Sequence, residues 1–107
     1  MESNAWYNNH NNTIEWQLTL DKTVIDHTVI TRVVLSMARD GAKPVVTDSD
    51  IAEDAPVFDF SNADRLIIKP DKKTLPEGDY KADLIIYDAA NPKGILWTRD
   101  RLIEVVS

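Results

Sequence analysis

In this chain of 107 residues, the side chains able to do chemistry are few, and their spacing limits what they could do. The densest polar cluster is Asp48, Asp50, Glu53 and Asp54, with Asp59 and Asp64 farther on. Carboxylate oxygens are hard ligands, so Asp48, Asp50 and Asp54 on one loop could hold calcium. The spacing is not that of a helix-loop-helix calcium site, because the tight-turn glycine and the closing glutamate are both missing; a solvated acidic loop is the competing reading. Paired carboxylates could also flank a glycosidic bond, but nothing in the sequence fixes the separation that hydrolysis requires. His10 and His27 accompany no serine nucleophile motif, so a structural or solvent-exposed role fits them better than a triad or a metal ligand. Gly41, Gly78 and Gly94 are too scattered to cradle a phosphate. The residue types therefore point to a non-catalytic chain, and no cofactor is expected.

Composition narrows the partners. Lys and Arg total 12 against 18 Asp and Glu, a net charge of -6, so phosphate backbones and anionic membrane surfaces are repelled by the mean field. Neither nucleic acid nor membrane is an expected partner. There is no cysteine, which excludes a disulfide scaffold, a thiolate zinc site and a cysteine nucleophile. The first residues lack the basic start and apolar run of a secretion signal, and no window is long and apolar enough for a spanning helix. The triplet Asn11-Asn12-Thr13 is accordingly read as an accident rather than a glycosylation site.

The elements that would position any site read as strands. Residues 1–12 are Asn-rich and without alternation, a flexible arm whose Trp6 and Tyr7 could dock on the body or on a partner. Residues 13–107 read as one domain. Thr13 to Leu20 alternates, with Ile14, Trp16, Leu18 and Leu20 on one face. Asp21-Lys22 offers a turn. Val29 to Ala38 places Val29, Val33, Leu35 and Met37 together, and Asp40-Gly41 then leads to a short strand at Val45 to Thr47. Val57 to Phe60 and Leu66 to Lys69 are further short strands, and Asp48 to Ala55 is a loop with room for one helical turn. Asp79 to Tyr87 is a strand, Asp88 to Lys93 a turn, and Gly94 to Val106 the return strand. Such short strands without an amphipathic helix favour an all-β sandwich.

Leu75-Pro76-Glu77-Gly78-Asp79-Tyr80 resembles the tyrosine corner of immunoglobulin-like and fibronectin-like sandwiches, in which the Tyr hydroxyl bonds a backbone group just upstream. The resemblance implies an immunoglobulin-like antiparallel sandwich of about seven short strands. Gly78 permits the turn and Tyr80 locks it. Alternation then sends Tyr80, Ala82, Leu84 and Ile86 inward, with Ala82 where an antibody domain carries its second cysteine. Ile85 and Tyr87 face outward, either beneath a neighbouring loop or Trp97, or toward a partner. Trp16 and Trp97 read as core or inter-sheet packing.

The stretches Ile14 to Leu20, Ile30 to Leu35, Leu75 to Tyr80 and Ile85 to Trp97 together resemble small phage and prophage proteins with immunoglobulin-like folds, including tail and baseplate modules. What the resemblance implies is a virion or assembly accessory protein, in the virion or in host cytoplasm during assembly, whose partners are other protein subunits or copies of itself. It carries over no catalytic residue. The expected interaction surface is Ile85, Tyr87, Trp6 and Tyr7. A carbohydrate- or calcium-binding sandwich using Trp97, Tyr87 or the Asp48 to Asp54 loop is the alternative, and an enzyme with a dispersed site is a third reading.

Overall fold

The structure, a computed structural model, describes residues 4–106, the side chain of Asn4 excepted. The first three residues of the expected arm lie outside the described residues. The strands are β1 (Asn4–Tyr7), β2 (Ile14–Trp16), β3 (Thr19–Leu20), β4 (Thr23–Val24), β5 (Ile30–Ala38), β6 (Val45–Asp48), β7 (Phe58–Asp59), β8 (Leu66–Ile68), β9 (Gly78–Asp88) and β10 (Asn91–Val106). One sheet has the order β1-β10-β9-β5-β6, a second β2-β8-β7, and β3 and β4 form a separate ribbon. Among the described residues, three single-turn 3-10 segments interrupt the strands. The fold is all-β, two sheets closed on a shared core in the manner of a sandwich.

Alternation decides which faces meet. On β9, Tyr80, Ala82, Leu84 and Ile86 are buried, and β5 answers with Val33, Leu35 and Met37. The smaller sheet contributes Ile14, Trp16, Phe58, Leu66 and Ile68. Each buried aliphatic side chain removed from water stabilises the fold by about 2 kcal/mol before entropy is counted. Tyr80 closes one end, its hydroxyl donating to the Pro76 carbonyl at 2.6 Å. Gly78, at φ +150°, supplies the backbone freedom this corner uses.

Four expectations are corrected by the fold. Asn4–Tyr7 is a strand rather than part of a loose arm, parallel to β10 with Trp6 opposite Val105. Trp6 is wholly buried, its indole N–H donating to the Lys73 carbonyl at 3.1 Å. Asn8 imitates a strand residue: its side chain donates to Leu75 O at 2.8 Å and accepts from Leu75 N at 3.1 Å. Four residues are too few to show an alternation, but one tryptophan carries enough apolar area to bind such a segment down.

The alternation from Thr13 fails at Leu20, which is 63% exposed. Leu18 remains buried, and the chain then leaves the sheet for the β3–β4 ribbon. That ribbon turns on Asp21 and Lys22, both at positive φ (51° and 66°), the conformation that matches a two-residue hairpin to strand twist. Val29 is not on β5: it ends the 3-10 turn His27–Val29 and is exposed. Ile30 and Val33 are both buried, on either side of a register shift between Ile30 and Arg32. The turn expected over Asp88 to Lys93 is tighter than that, since β10 begins at Asn91 and takes in Pro92 and Lys93.

Candidate binding surfaces

Side chains on β9 alternate, so Asp79, Lys81, Asp83, Ile85 and Tyr87 stand on the face opposite the core. Ile85 pairs with Val34 of β5 on one side and Leu96 of β10 on the other. Val34, Ile85 and Leu96 thus form an apolar row across three strands of a face that alternation would make polar. Leu96 is 48% exposed, and Ile85 and Tyr87 are half-buried. Their cover is the backbone of Gly94, at φ +85°, where an added Cβ would lie 2.8 Å from both Ile85 Cγ2 and Tyr87 Cε2. Of the expected surface, then, Ile85 and Tyr87 do face outward together. Trp6 does not belong to it, because it is in the core. Tyr7, 37% exposed, lies on β1 with its ring edge-on to His10 at 6.4 Å.

Arg32 organises the end of this face. Its guanidinium lies 4.7 Å from the Tyr87 ring centroid, and it grips the Asp48 carboxylate through two N–H groups, one at 2.9 Å. That grip holds Asp48 below the ordinary carboxylate value of 3.8, with the Asp50 backbone N–H helping, and raises Arg32 in turn. A hollow of about 350 Å³ lies beside the pair, lined by Thr31, Asp50, Asp88 and Pro92 among others.

The same contacts weigh against calcium, the lesser of the two readings of the acidic loop. Asp48 is committed to Arg32, and Asp54 accepts from Asp48 N at 3.1 Å and pairs with Lys73 Nζ at 3.1 Å. Asp50, 61% exposed at its side chain, leans on Arg32 at 3.4 Å. Each acid that would ligate a cation already neutralises a basic side chain or caps a backbone group. Among the described residues no group of three or more His, Asp or Glu side chains is placed to hold a metal ion.

His27 is buried, and its position in the chain gave little sign of that. Leu18 N donates to its Nε2 at 3.1 Å, which leaves Nδ1 to carry the proton and donate to Ala63 O at 2.9 Å. The ring therefore ties together two loops as a structural strut. Asp26 caps the turn that begins there, accepting from Thr28 N and Oγ1 at 3.0 and 2.6 Å.

One cleft was marked in the sequence by Trp97 alone of its lining. About 360 Å³ in volume, it lies between β2 with the residues that follow it (Glu15 to Thr19) and β10 at Trp97, Thr98 and Arg101. β10 slips against β9 between Leu96 and Thr98 and again between Thr98 and Arg101. The second slip puts Asp100 at φ 53°, held by its N–H donating to Asp83 Oδ1 at 3.0 Å. Arg101 is then opposite inward-facing Ala82, with its guanidinium 4.9 Å from the Trp16 ring centroid. Bulges re-aim side chains in this way. The signals in the sequence are Trp97 and the polar run Thr98 to Arg101 between the apolar stretches Ile95 to Trp97 and Leu102 to Ile103.

No family model matches this chain, and no curated protein or solved structure matches it either.

Proposed function

We propose that this chain is a non-catalytic structural module of the phage and prophage accessory kind, which assembles through the outer face of its five-stranded sheet onto a second copy of itself. Its place is the virion or the host cytoplasm during assembly, and its immunoglobulin-like lineage is part of the same proposal, supported by the Tyr80 corner. The observation that carries the reading is the apolar row Val34–Ile85–Leu96, flanked by Tyr87, on the outer face. Apolar self-complementarity favours a copy as the occupant. Arg32 at the Tyr87 end of the row is already paired with Asp48 and Asp50, and Lys81 stands between Asp79 and Asp83 at the other end, so neither end presents a net charge that calls for an oppositely charged partner. A two-fold axis crossing the strands at Ile85 lays the apolar row of one copy on that of the other, which is what a two-fold contact needs.

Sedimentation equilibrium tests it. Wild type should form a dimer at about 0.1 mM chain. Leu96→Lys, at a position exposed enough to leave the fold intact, should be a monomer with an unchanged melting temperature. A monomeric wild type, or a dimer indifferent to Leu96→Lys, overturns the reading.

A further inference from the structure

We infer that the cleft between Trp16 and Trp97 is a binding site for an acidic saccharide, with Arg101 taking the sugar carboxylate. This surface is separate from the outer face, and the inference does not rest on self-association.

The lining combines what a sugar ring requires. Pyranose rings carry apolar C–H faces, which stack on indoles, and equatorial hydroxyls, which need donors and acceptors at the rim. Trp97 is half-buried against the core and lines the cleft, while Gln17, Thr19 and Thr98 surround it with one amide and two hydroxyls. The volume, about 360 Å³, falls at the small end of ligand sites.

Arg101 specifies the charge. The indole of Trp16 takes one face of its guanidinium, a contact that uses the π-system and leaves the N–H edge for a planar anion. Among the described residues Arg101 makes no ion pair, whereas Arg32 and Arg65 are both paired with carboxylates. Glu15, the one carboxylate of the lining, is turned to Arg65, whose Nη1 sits 2.8 Å from it and which Asp64 shares. A bidentate guanidinium–carboxylate contact is the strong form of such recognition. The fold holds Arg101 there by the bulge at Asp100, whose N–H donates to the Asp83 carboxylate, and bulges of this kind re-aim side chains next to sites. A peptide is the poorer occupant, since β2 offers only three residues of strand for edge pairing.

The experiment is a titration of the ¹⁵N-labelled chain with oligogalacturonate, a hyaluronan oligosaccharide and sialyllactose, against neutral maltotetraose. At least one acidic probe should give saturable shifts of the Trp16 and Trp97 indole N–H and the Arg101 side chain, with affinity about tenfold or more above that for maltotetraose. Arg101→Gln should lower that affinity about tenfold, Arg101→Lys should restore part of it, and Arg99→Gln should leave it within about twofold. The Arg101 variants change an exposed side chain, and their melting temperatures check that the fold persists. No saturable shift with any acidic probe up to about 10 mM overturns the inference. So do equal affinity for maltotetraose, binding unaffected by Arg101→Gln, shifts confined to the outer face, or a glutamate tetrapeptide binding as tightly as the best acidic sugar.

Discussion

β9 and β10 run side by side, but β9 buries every second residue from Tyr80 to Ile86, whereas β10 shifts register three times between Asn91 and Arg101. The regular strand is fixed by packing on its inner face, where a slip of one residue would turn Tyr80, Ala82, Leu84 and Ile86 out together. The slipping strand obeys other demands. Gly94 lets it close over Ile85 and Tyr87, and the bulges on either side of Thr98 turn Trp97 and Arg101 toward a cleft. Within one antiparallel pair, then, one partner supplies core and the other supplies surface, and substitutions should separate the two roles.

The largest expected effect is in β9. Leu84 is wholly buried, and Leu84→Ala should cost about 3 kcal/mol through lost transfer energy and the cavity left behind. Its partner Thr98 on β10 should tolerate Ala within about 0.5 kcal/mol. Urea unfolding of the two variants measures the contrast, and near-equal losses would break it.

Next is Gly94→Ala. Its Cβ would press on Ile85 and Tyr87 at 2.8 Å from a backbone at φ +85°, so strain and overlap should together cost about 2–3 kcal/mol by thermal unfolding. A smaller effect follows at the other end of β9. Tyr80→Phe keeps the ring and removes the hydroxyl that donates to Pro76 O, a loss of about 1–1.5 kcal/mol. If chemical denaturation shows Tyr80→Phe to be neutral, the corner is held by ring packing alone.

The same contrast explains what was legible. β9 and its corner could be read because each rests on local pattern: alternation for the strand, and Gly78 with Tyr80 for the turn. The hairpin of β5 and β6 was legible for the same reason, through Asp40-Gly41. Tertiary demands left no such trace. Trp6 is buried by a parallel pairing with residues about a hundred positions away, and nothing within Asn4 to Asn8 announces its partner. Leu20 fits the alternation before it, but two positive-φ residues that follow lead it out of the sheet. Of the binding surfaces, the outward Ile85 and Tyr87 follow from parity, whereas Arg101 could not be aimed without knowing the bulges that rotate it. The acidic loop stayed open between a cation site and a solvated loop because a sequence counts carboxylates but does not show Arg32 and Lys73 arriving from elsewhere to pair with them.

The smallest effect distinguishes the two faces of β9 by pH. Its inner face is packed with apolar side chains; its outer end leans on Arg32, which Asp48 holds in place. Asp48 lies below its ordinary value of 3.8 in the folded chain because of the Arg32 hydrogen bonds. Between the folded and unfolded values the unfolded chain binds more protons, so falling pH favours unfolding. The stabilisation is fully present above 3.8 and is lost as pH falls through the lower folded value. Asp26, Asp59 and Asp64 are lowered too, by Thr28, Ser61 and Arg65 in turn, so the wild-type melting temperature should decline with acid through several groups. Asp48→Asn cannot gain or lose that proton, and its decline below about pH 4 should be shallower than that of wild type. Leu84→Ala should instead run parallel to wild type, displaced downward at every pH, because the group it removes carries no proton. Parallel curves for Asp48→Asn and wild type would mean that Arg32 reaches Tyr87 without help from Asp48, and that the outer end of β9 is held by packing as its inner face is.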